Sequence, residues 1–253
     1  MSLDCKVSIV TATYNSEHEI LETYESIRSQ TYENWEWLVT DDCSSDKTLD
    51  VLNEISKSDS RVRVLKNRIN SGAAVSRNNS LSYASGDFLA FIDSDDLWYS
   101  TKLEIQLLFM INKQVSFSFT AYELIDEAGT KLGSKVDASQ SGGFSYRDML
   151  KKKATLGCST VILKKSAFSD ITMPDLRTGQ DYATWLKLLR NGEQAFICSE
   201  VLTQYRIRPN SISRNKFKKA IRQWKIYREV ERLPLFYSLY CFFFYAWRAV
   251  FRA

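Results

Sequence analysis

A short acidic segment is the feature of this sequence best suited to chemistry. Asp93, Asp95 and Asp96 fall within four positions, directly after the apolar stretch 88–92. Carboxylates this close repel one another, which costs stability unless a cation or strong hydrogen-bond donors offset the repulsion. Mg²⁺ and Mn²⁺ take oxygen ligands, commonly one or two carboxylates plus substrate phosphates. The spacing therefore fits a divalent-metal site, and equally a solvated acidic turn that caps the next helix.

Two further polar segments are candidates for ligand binding. Ser45 or Asp46 can cap the helix that follows them, which leaves Asp42 to accept a hydrogen bond from a base N–H or a ribose hydroxyl. Gly72 permits a tight turn, and Arg77 lies one turn into the next predicted helix. Arg77 is suited to contact a nucleotide base or phosphate, although an exposed helix arginine is usually only solvated.

Strands and helices are predicted to alternate over the first hundred residues. The predicted strands are 6–11, 36–40, 61–65 and 88–92, and the predicted helices are 17–30, 46–55 and 73–84. This alternation implies a parallel sheet covered on both faces, in which ligands bind at the carboxyl ends of the strands. The polar segments 13–15, 41–42 and 93–96 fall at such ends and are expected to meet there.

The second half has a less regular pattern. Its predicted elements are a strand at 115–125, a turn at 126–129 into another strand, a short helix capped by Ser145, a strand at 158–164, a helix at 180–190 stopped at Gly192, and short strands near 195–198 and 201–206.

The bulk composition is that of an ordinary globular protein. With 253 residues, 44% hydrophobic and 25% charged, the chain can form one large α/β domain or two small ones. The five cysteines are odd in number and form no CxxC pair, which favours reduced thiols in a cytosol over a disulfide framework. No long apolar run follows a basic stretch at the N-terminus, so secretion is not expected.

The C-terminal segment is basic and then aromatic. Residues 214–232 hold eight Lys or Arg against two Glu, and 233–251 is nearly all apolar. A basic amphipathic helix followed by an aromatic-rich segment fits a membrane interface, while nineteen residues barely span a bilayer. The alternative is a helix pair packed on the rest of the protein or at a homodimer contact.

Four motifs carry a resemblance to a known family. The chain has Val-Ser-Ile-Val-Thr-Ala-Thr-Tyr-Asn at 7–15, Asp-Asp-Cys-Ser-Ser-Asp at 41–46, Asn-x-Gly-x-x-x-x-Arg-Asn at 70–78 and Gly-Asp-Phe-Leu-Ala-Phe-Ile-Asp-Ser-Asp-Asp at 86–96. In order and spacing these resemble family 2 inverting glycosyltransferases of the bacterial surface-polysaccharide type, over about residues 5–210. The resemblance implies the Rossmann-like glycosyltransferase A fold, an α/β fold with a mostly parallel sheet flanked by helices, here followed by the helical basic-aromatic tail.

The resemblance also implies a donor site. Thr13 and Tyr14 would line the nucleotide pocket, Asp42 would bind uracil, and Arg77 would lie near the base. Asp93 would contact the ribose or the metal. Asp95 would ligate a Mn²⁺ or Mg²⁺ that bridges the diphosphate, with Asp93 as a second ligand and Asp96 as a further partner.

Two later segments match the family with one departure each. At 179–186, Gln180 replaces the usual Glu, and Asp181 aligns with the catalytic base, which takes a proton from the acceptor hydroxyl. From the residue alone, Asp181 would only favour the helix N-terminus. At 205–213, Arg208 replaces a His and would contact the donor diphosphate or lie outside the site. An imidazole ligand is excluded there, because the only His of the chain is His18.

The predicted organisation is a catalytic domain at 1–213, with a donor half at 1–98 and an acceptor half at 99–213, and the tail at 214–253. The predicted enzyme moves a hexosyl or N-acetylhexosaminyl group from a UDP-sugar to a hydroxyl of a lipid-linked glycan on the inner face of the cell membrane. No nucleic-acid partner is expected. A nucleotidyltransferase is disfavoured because 11–15 lacks glycine, and a processive synthase because it needs several spanning helices. A non-catalytic sugar-binding protein stays open.

Overall fold

The computed structural model describes residues 4–207 and 216–251. The strands are β1 Val7–Thr13, β2 Trp35–Asp41, β3 Val62–Lys66, β4 Phe88–Phe91, β5 Leu97–Trp98, β6 Phe117–Ile125, β7 Lys131–Val136, β8 Gly143–Phe144, β9 Ile162–Lys164 and β10 Ala195–Arg206. The helices are α1 Ile20–Arg28, α2 Thr48–Ser58, α3 Ala73–Ser82, α4 Lys102–Lys113, α5 Tyr146–Leu150, α6 Gln180–Leu189, α7 Lys216–Lys225 and α8 Leu235–Phe251.

One sheet joins the strands in the order β3-β2-β1-β4-β9-β6-β10-β5, with β7 beside β6 and β8 beside β10. The first four neighbours, β3, β2, β1 and β4, are parallel, which confirms the predicted parallel sheet. Strand β9 runs antiparallel between β4 and β6 and connects this half to the second. The carboxyl ends of β1, β2 and β4 therefore lie along one edge.

The sheet is buried on both faces. Along β1, the adjacent residues Ile9 and Val10 are both fully buried, although their side chains point to opposite faces. Ile9 packs in a cluster with Trp37 of β2, and Val10 packs in a second cluster with Phe91 of β4. Strands of a parallel sheet covered by helices on both sides read as continuous apolar runs for this reason.

Two predicted elements of the second half differ from the structure. The predicted strand at 158–164 begins with a 3₁₀ turn, Cys158–Thr160, and only Ile162–Lys164 is extended. The short strands predicted near 195–198 and 201–206 are one strand, β10, because it pairs with β6 along its length across an irregularity between Cys198 and Val201. The predicted cap is confirmed, since the Ser145 hydroxyl accepts from the Asp148 backbone N–H.

The segment predicted as a tail contributes side chains to the core. Ile226, Tyr227 and Leu233 are buried in the cluster that also holds Trp185 of α6. The Tyr227 hydroxyl donates to the backbone carbonyl of Leu150. The inner side of this segment therefore matches the alternative of helices packed on the catalytic fold. Among the described helices, none is long and apolar enough to cross a membrane.

Lys102 is a buried basic residue in the first turn of α4. Its side chain is 0% exposed, and its Nζ has no hydrogen-bond partner among the described residues. The Nζ lies 3.8 Å from the centroid of the Trp98 ring, which partly stabilises a positive charge. Burial nevertheless lowers the pKa of Lys102 well below its ordinary value. The folded state therefore disfavours the protonated form that the unfolded chain carries at neutral pH.

We expect Lys102→Met to stabilise the fold by about 1 kcal/mol or more at neutral pH. The unfolded chain holds a proton on Lys102 up to about pH 10, whereas the folded chain releases it earlier, so wild-type stability rises with pH. The gain from methionine should accordingly shrink as the pH approaches that value. Thermal or denaturant unfolding of the wild type and the variant, at neutral pH and near pH 10, measures the difference in their free energy of unfolding. Lys113→Met, at the exposed end of the same helix, is the control and should give no such gain.

Candidate active site

The acidic segment forms a turn at the carboxyl end of β4. The backbone N–H of Asp96 donates to the carbonyl of Asp93 over 3.2 Å. Ser159, in the 3₁₀ turn before β9, holds this turn from the other side: its Oγ accepts from the Asp93 N–H at 3.0 Å and donates to Asp96 Oδ2 at 2.5 Å. The 3₁₀ turn Cys158–Thr160, where the sequence predicts a strand, therefore holds Asp93 and Asp96 in place through Ser159.

The three carboxylates of the turn have different surroundings. Asp96 is 1% exposed, and its Oδ1 accepts from the Arg206 backbone N–H at 2.9 Å. Burial, and then the neighbouring charges of Asp95 and Asp93, raise the pKa of Asp96 well above its ordinary value. Asp93 and Asp95 are partly exposed. The structure thus directs Asp96 into the protein, where it binds β10, and leaves the other two carboxylates as the accessible pair.

Arg77 is buried beside this pair. Its Nη2 donates to Asp93 Oδ1 at 2.5 Å, and its Nε and Nη1 have no hydrogen-bond partner among the described residues. Although burial opposes the charge, the Cys158 thiol and the carboxylates of Asp93 and Asp181 raise the pKa of Arg77 above its ordinary value. A buried cation with unused N–H groups is suited to an anionic or hydroxyl-rich ligand.

Asp42 fixes the loop that leads into α3. Its Oδ1 accepts from the Ser71 N–H and from Asn67 Nδ2, both at 2.8 Å, and its Oδ2 accepts from the Gly72 N–H at 2.7 Å. Gly72 has a φ of +88°, a conformation that other residues rarely adopt. Three of about four acceptor positions on the carboxylate are used, which leaves capacity for one further donor. Sequence reasoning did not reveal this anchoring role.

Thr13 is the last residue of β1, and Tyr14 follows it. The end of β1 lies beside the end of β2, where Thr13 pairs with Asp41. Thr13 is 2% exposed, and its Oγ1 has no hydrogen-bond partner within the described chain. Tyr14 is 51% exposed. The loops after β1 and β2 are joined because Asn15 donates its N–H to Ser44 Oγ at 2.9 Å. These residues line the edge at which the acidic turn also lies.

Asp181 occupies the first turn of α6 and is partly exposed. Gly179, with a φ of +79°, is the residue at the N-cap of this helix. Burial raises the pKa of the Cys158 thiol well above its ordinary value, and the nearby carboxylates of Asp93 and Asp181 raise it further. Both carboxylates therefore act on the same buried group. Asp181, from the second half of the chain, therefore lies near enough to Cys158 and Arg77 to raise their pKa values.

Arg206 is a structural residue that the sequence pattern did not single out by role. Its Nε donates to the Asp95 carbonyl at 2.8 Å, its Nη1 to the Glu127 carbonyl at 2.6 Å and its Nη2 to Glu22 Oε2 at 2.6 Å. It thereby ties the acidic turn to α1 and to the loop before β7. Arg208, two positions later, lies outside the described residues.

The carboxylates suit a metal that shares its coordination with a substrate. Within residues 4–207 and 216–251, no group of three Asp, Glu, His or Cys side chains is arranged to hold a metal ion. The accessible pair, Asp93 and Asp95, matches instead the one or two carboxylates that Mg²⁺ commonly takes from a protein when substrate phosphates complete the coordination. The donor set therefore fits Mn²⁺ or Mg²⁺ bound together with a diphosphate.

Comparison with known proteins identifies the family. The family model described as "Glycosyl transferase family 2" matches residues 8–172. The chain belongs to glycosyl transferase family 2. This family 2 glycosyltransferase is 44% identical over 244 residues, 96% of each chain, to TuaG of Bacillus subtilis (strain 168), which carries the name of a teichuronic acid biosynthesis glycosyltransferase. It is 40% identical over 233 residues to Escherichia coli WfgD, named a UDP-Glc:alpha-D-GlcNAc-diphosphoundecaprenol beta-1,3-glucosyltransferase; these cover 92% of this chain and 89% of that protein.

A solved structure shows the same fold. The mannosyltransferase PcManGT from Pyrobaculum calidifontis, in complex with GDP-Man and Mn²⁺, matches this glycosyltransferase with a TM-score of 0.71 at 16% identity, over 98% of this chain and 70% of that one. At this identity the likeness shows the fold and not the donor. The expected glycosyltransferase A fold and the expected class of enzyme are both confirmed.

Proposed function

We propose that this enzyme transfers one hexosyl or N-acetylhexosaminyl group from a UDP-sugar to a hydroxyl of a lipid-linked glycan in the biosynthesis of a bacterial surface polysaccharide, such as an O-antigen. The observation that carries the proposal is the buried Arg77, which donates to Asp93 at the end of β4 and whose pKa is raised by Asp93 and also by Asp181. The name of WfgD, a relative at 40% identity, supports both the UDP-sugar donor and the diphosphate-lipid acceptor.

The donor lies along the ends of β1, β2 and β4 in this proposal. Tyr14 offers a half-exposed aromatic ring against which a flat base can stack, and the neighbouring Thr13 has a hydroxyl without a hydrogen-bond partner among the described residues. The Asp42 carboxylate, held by the backbone N–H groups of Ser71 and Gly72, accepts the N–H of uracil. Arg77 directs its remaining donors to the phosphates or the sugar.

Asp95 and Asp93 hold Mn²⁺ or Mg²⁺ in this proposal. When bound, the metal stabilises the negative charge that develops on the departing diphosphate. The Arg77 guanidinium contacts Asp93 at 2.5 Å and offsets part of the repulsion between the two neighbouring carboxylates. The Mn²⁺ in the complex of PcManGT, which has the same fold, supports a metal of this kind.

Asp181 is the proposed base of a single displacement that inverts the anomeric carbon. The acceptor oxygen bonds to that carbon as the bond to the β-phosphate oxygen breaks and UDP leaves with the electron pair. Asp181 takes the proton that the acceptor hydroxyl loses. Asp181 lies in the first turn of α6, in the half of the chain that is proposed to bind the acceptor.

The C-terminal helices support a peripheral position on the inner face of the cell membrane. The outer face of α8 exposes Phe236, Leu239, Phe243 and Trp247, of which Phe236 is 84% exposed. These residues follow one another at helical spacing and lie beyond the basic α7. A basic helix beside an exposed aromatic stripe binds an anionic interface through charge and apolar burial together.

The test is a panel of UDP- and GDP-sugars with Mn²⁺ and an acceptor that carries N-acetylglucosamine on a diphosphate-lipid. We expect one UDP-sugar to be consumed with formation of a disaccharide-lipid, detected by mass spectrometry, and an inverted linkage by NMR. Omission of the acceptor should leave only slow donor hydrolysis. Equal use of GDP-sugars, or a retained anomeric configuration, would contradict the proposed donor or mechanism respectively.

A further inference from the structure

A cleft of about 390 Å³ lies next to the start of α6. One wall is the loop that holds Leu176 and Arg177, and the other is α7 with the π-helical turn Ile226–Val230. None of the residues that line the cleft belongs to the donor side of the site described above. Its position belongs to the acceptor half of the molecule and to the C-terminal helices.

The cleft is positively charged. Arg177, Lys218, Arg222 and Lys225 line it, against the single carboxylate of Glu229, so four positive charges face one negative charge. Arg222 is partly buried, which limits the conformations of its guanidinium. Arginines positioned in a concave site bind phosphate oxygens through paired hydrogen bonds. The charge of the cleft therefore selects a phosphate-bearing ligand.

The cleft also adjoins the proposed base. A Cβ at Gly179 would lie 3.0 Å from Ile226 Cδ1 and 3.1 Å from Arg222 Cδ, so these two side chains pack directly on the N-cap of α6. Asp181 is two residues further along, which places its Cα at most about 7 Å from that of Gly179. The backbone of Asp181 therefore lies within about the length of one sugar of the wall of the cleft.

We propose that this cleft binds the diphosphate of the acceptor, and this inference rests on the proposed function. The acceptor hydroxyl must reach Asp181 while the diphosphate, on the other side of the same sugar, needs a basic site of its own. Asp93 and Asp95 do not supply that site, because the metal proposed there already binds the diphosphate of the donor. Arg222 and Lys225 bind the phosphates, and the apolar side chains of Leu176 and Ile221 contact the adjoining sugar or lipid.

The test compares two acceptors that carry the same sugar, one on a diphosphate-alkyl chain and one on an uncharged alkyl chain. Arg222→Gln and Lys225→Gln, which keep most of each side-chain stem, should raise the KM for the diphosphate acceptor by about tenfold. Their KM for the uncharged acceptor, their KM for the donor and their kcat should not change. Glu229→Gln should lower the KM for the diphosphate acceptor. Lys113→Gln, exposed on α4, is the control for a lost surface charge.

Binding of the diphosphate-alkyl chain without any sugar, measured by calorimetry in the absence of donor, separates the two proposals. The wild type should bind it and the Arg222→Gln variant should bind it about tenfold more weakly, at unchanged melting temperature. If the wild type transfers sugar but both variants use the two acceptors as the wild type does, the cleft proposal is wrong and the function stands. If the wild type binds the chain in the cleft but transfers no sugar, the proposed function fails and the anion site stands.

Discussion

Asp181→Asn is expected to keep the affinity for UDP and to lower turnover by about 10²-fold or more. Asparagine preserves the shape of the side chain and its place in the first turn of α6, but it cannot take a proton from the acceptor hydroxyl. The donor residues, which lie at the ends of β1, β2 and β4, are left intact. Calorimetry with UDP and Mn²⁺ measures the first quantity, and initial rates at saturating acceptor measure the second.

Asp175→Asn serves as the matched control, because Asp175 is an exposed carboxylate shortly before the same helix. It should change neither quantity. A parallel loss of UDP affinity and turnover in Asp181→Asn, at unchanged melting temperature, would instead place Asp181 in the donor site. The physical basis of that outcome would be Arg77, because Asp93 and Asp181 both raise its pKa.

The donor half could be predicted from the sequence because its signals are local. Each strand of the parallel sheet is an apolar run that ends in polar residues, and each helix follows after a short link. Once four such strands are parallel, their carboxyl ends must share one edge, so Asp42 and Asp93 are brought together by topology alone. The glycine of the motif at 86–96 has a reason that the pattern does not reveal: a Cβ at Gly86 would lie 2.6 Å from the Ser8 backbone nitrogen.

The second half resisted prediction because its structure depends on distant contacts. In the 3₁₀ turn, Ser159 forms hydrogen bonds with Asp93 and Asp96, which lie more than sixty residues earlier in the chain. No local sequence pattern encodes that contact. Similarly, the C-terminal helices are apolar on more than one face. Periodicity identifies such a helix but does not say which face meets the core and which meets solvent. In α8 the core face holds Cys241 and the solvent face holds Phe236.

Asp95→Asn is expected to abolish transfer and to remove the metal-dependent part of UDP binding. An amide is a weaker ligand for Mn²⁺ than a carboxylate, and the lost stabilisation of the leaving diphosphate amounts to several kcal/mol. The turn itself should survive, because Arg206 holds the backbone carbonyl of Asp95 and Ser159 holds its neighbours Asp93 and Asp96. Melting temperature checks that point, and Asp50→Asn, an exposed carboxylate on α2, is the control.

The decisive measurement is UDP affinity with Mn²⁺ and with excess chelator. In the wild type the affinity should fall when the chelator is added, whereas in Asp95→Asn it should already be low and should not respond. In excess chelator the wild type and the variant should therefore bind UDP with the same affinity, because each retains only the contacts of Tyr14, Asp42 and Arg77. Full transfer by the wild type in excess chelator would mean that Arg77 and its unused donors alone stabilise the departing diphosphate, and that Asp95 has no part in the reaction through a metal.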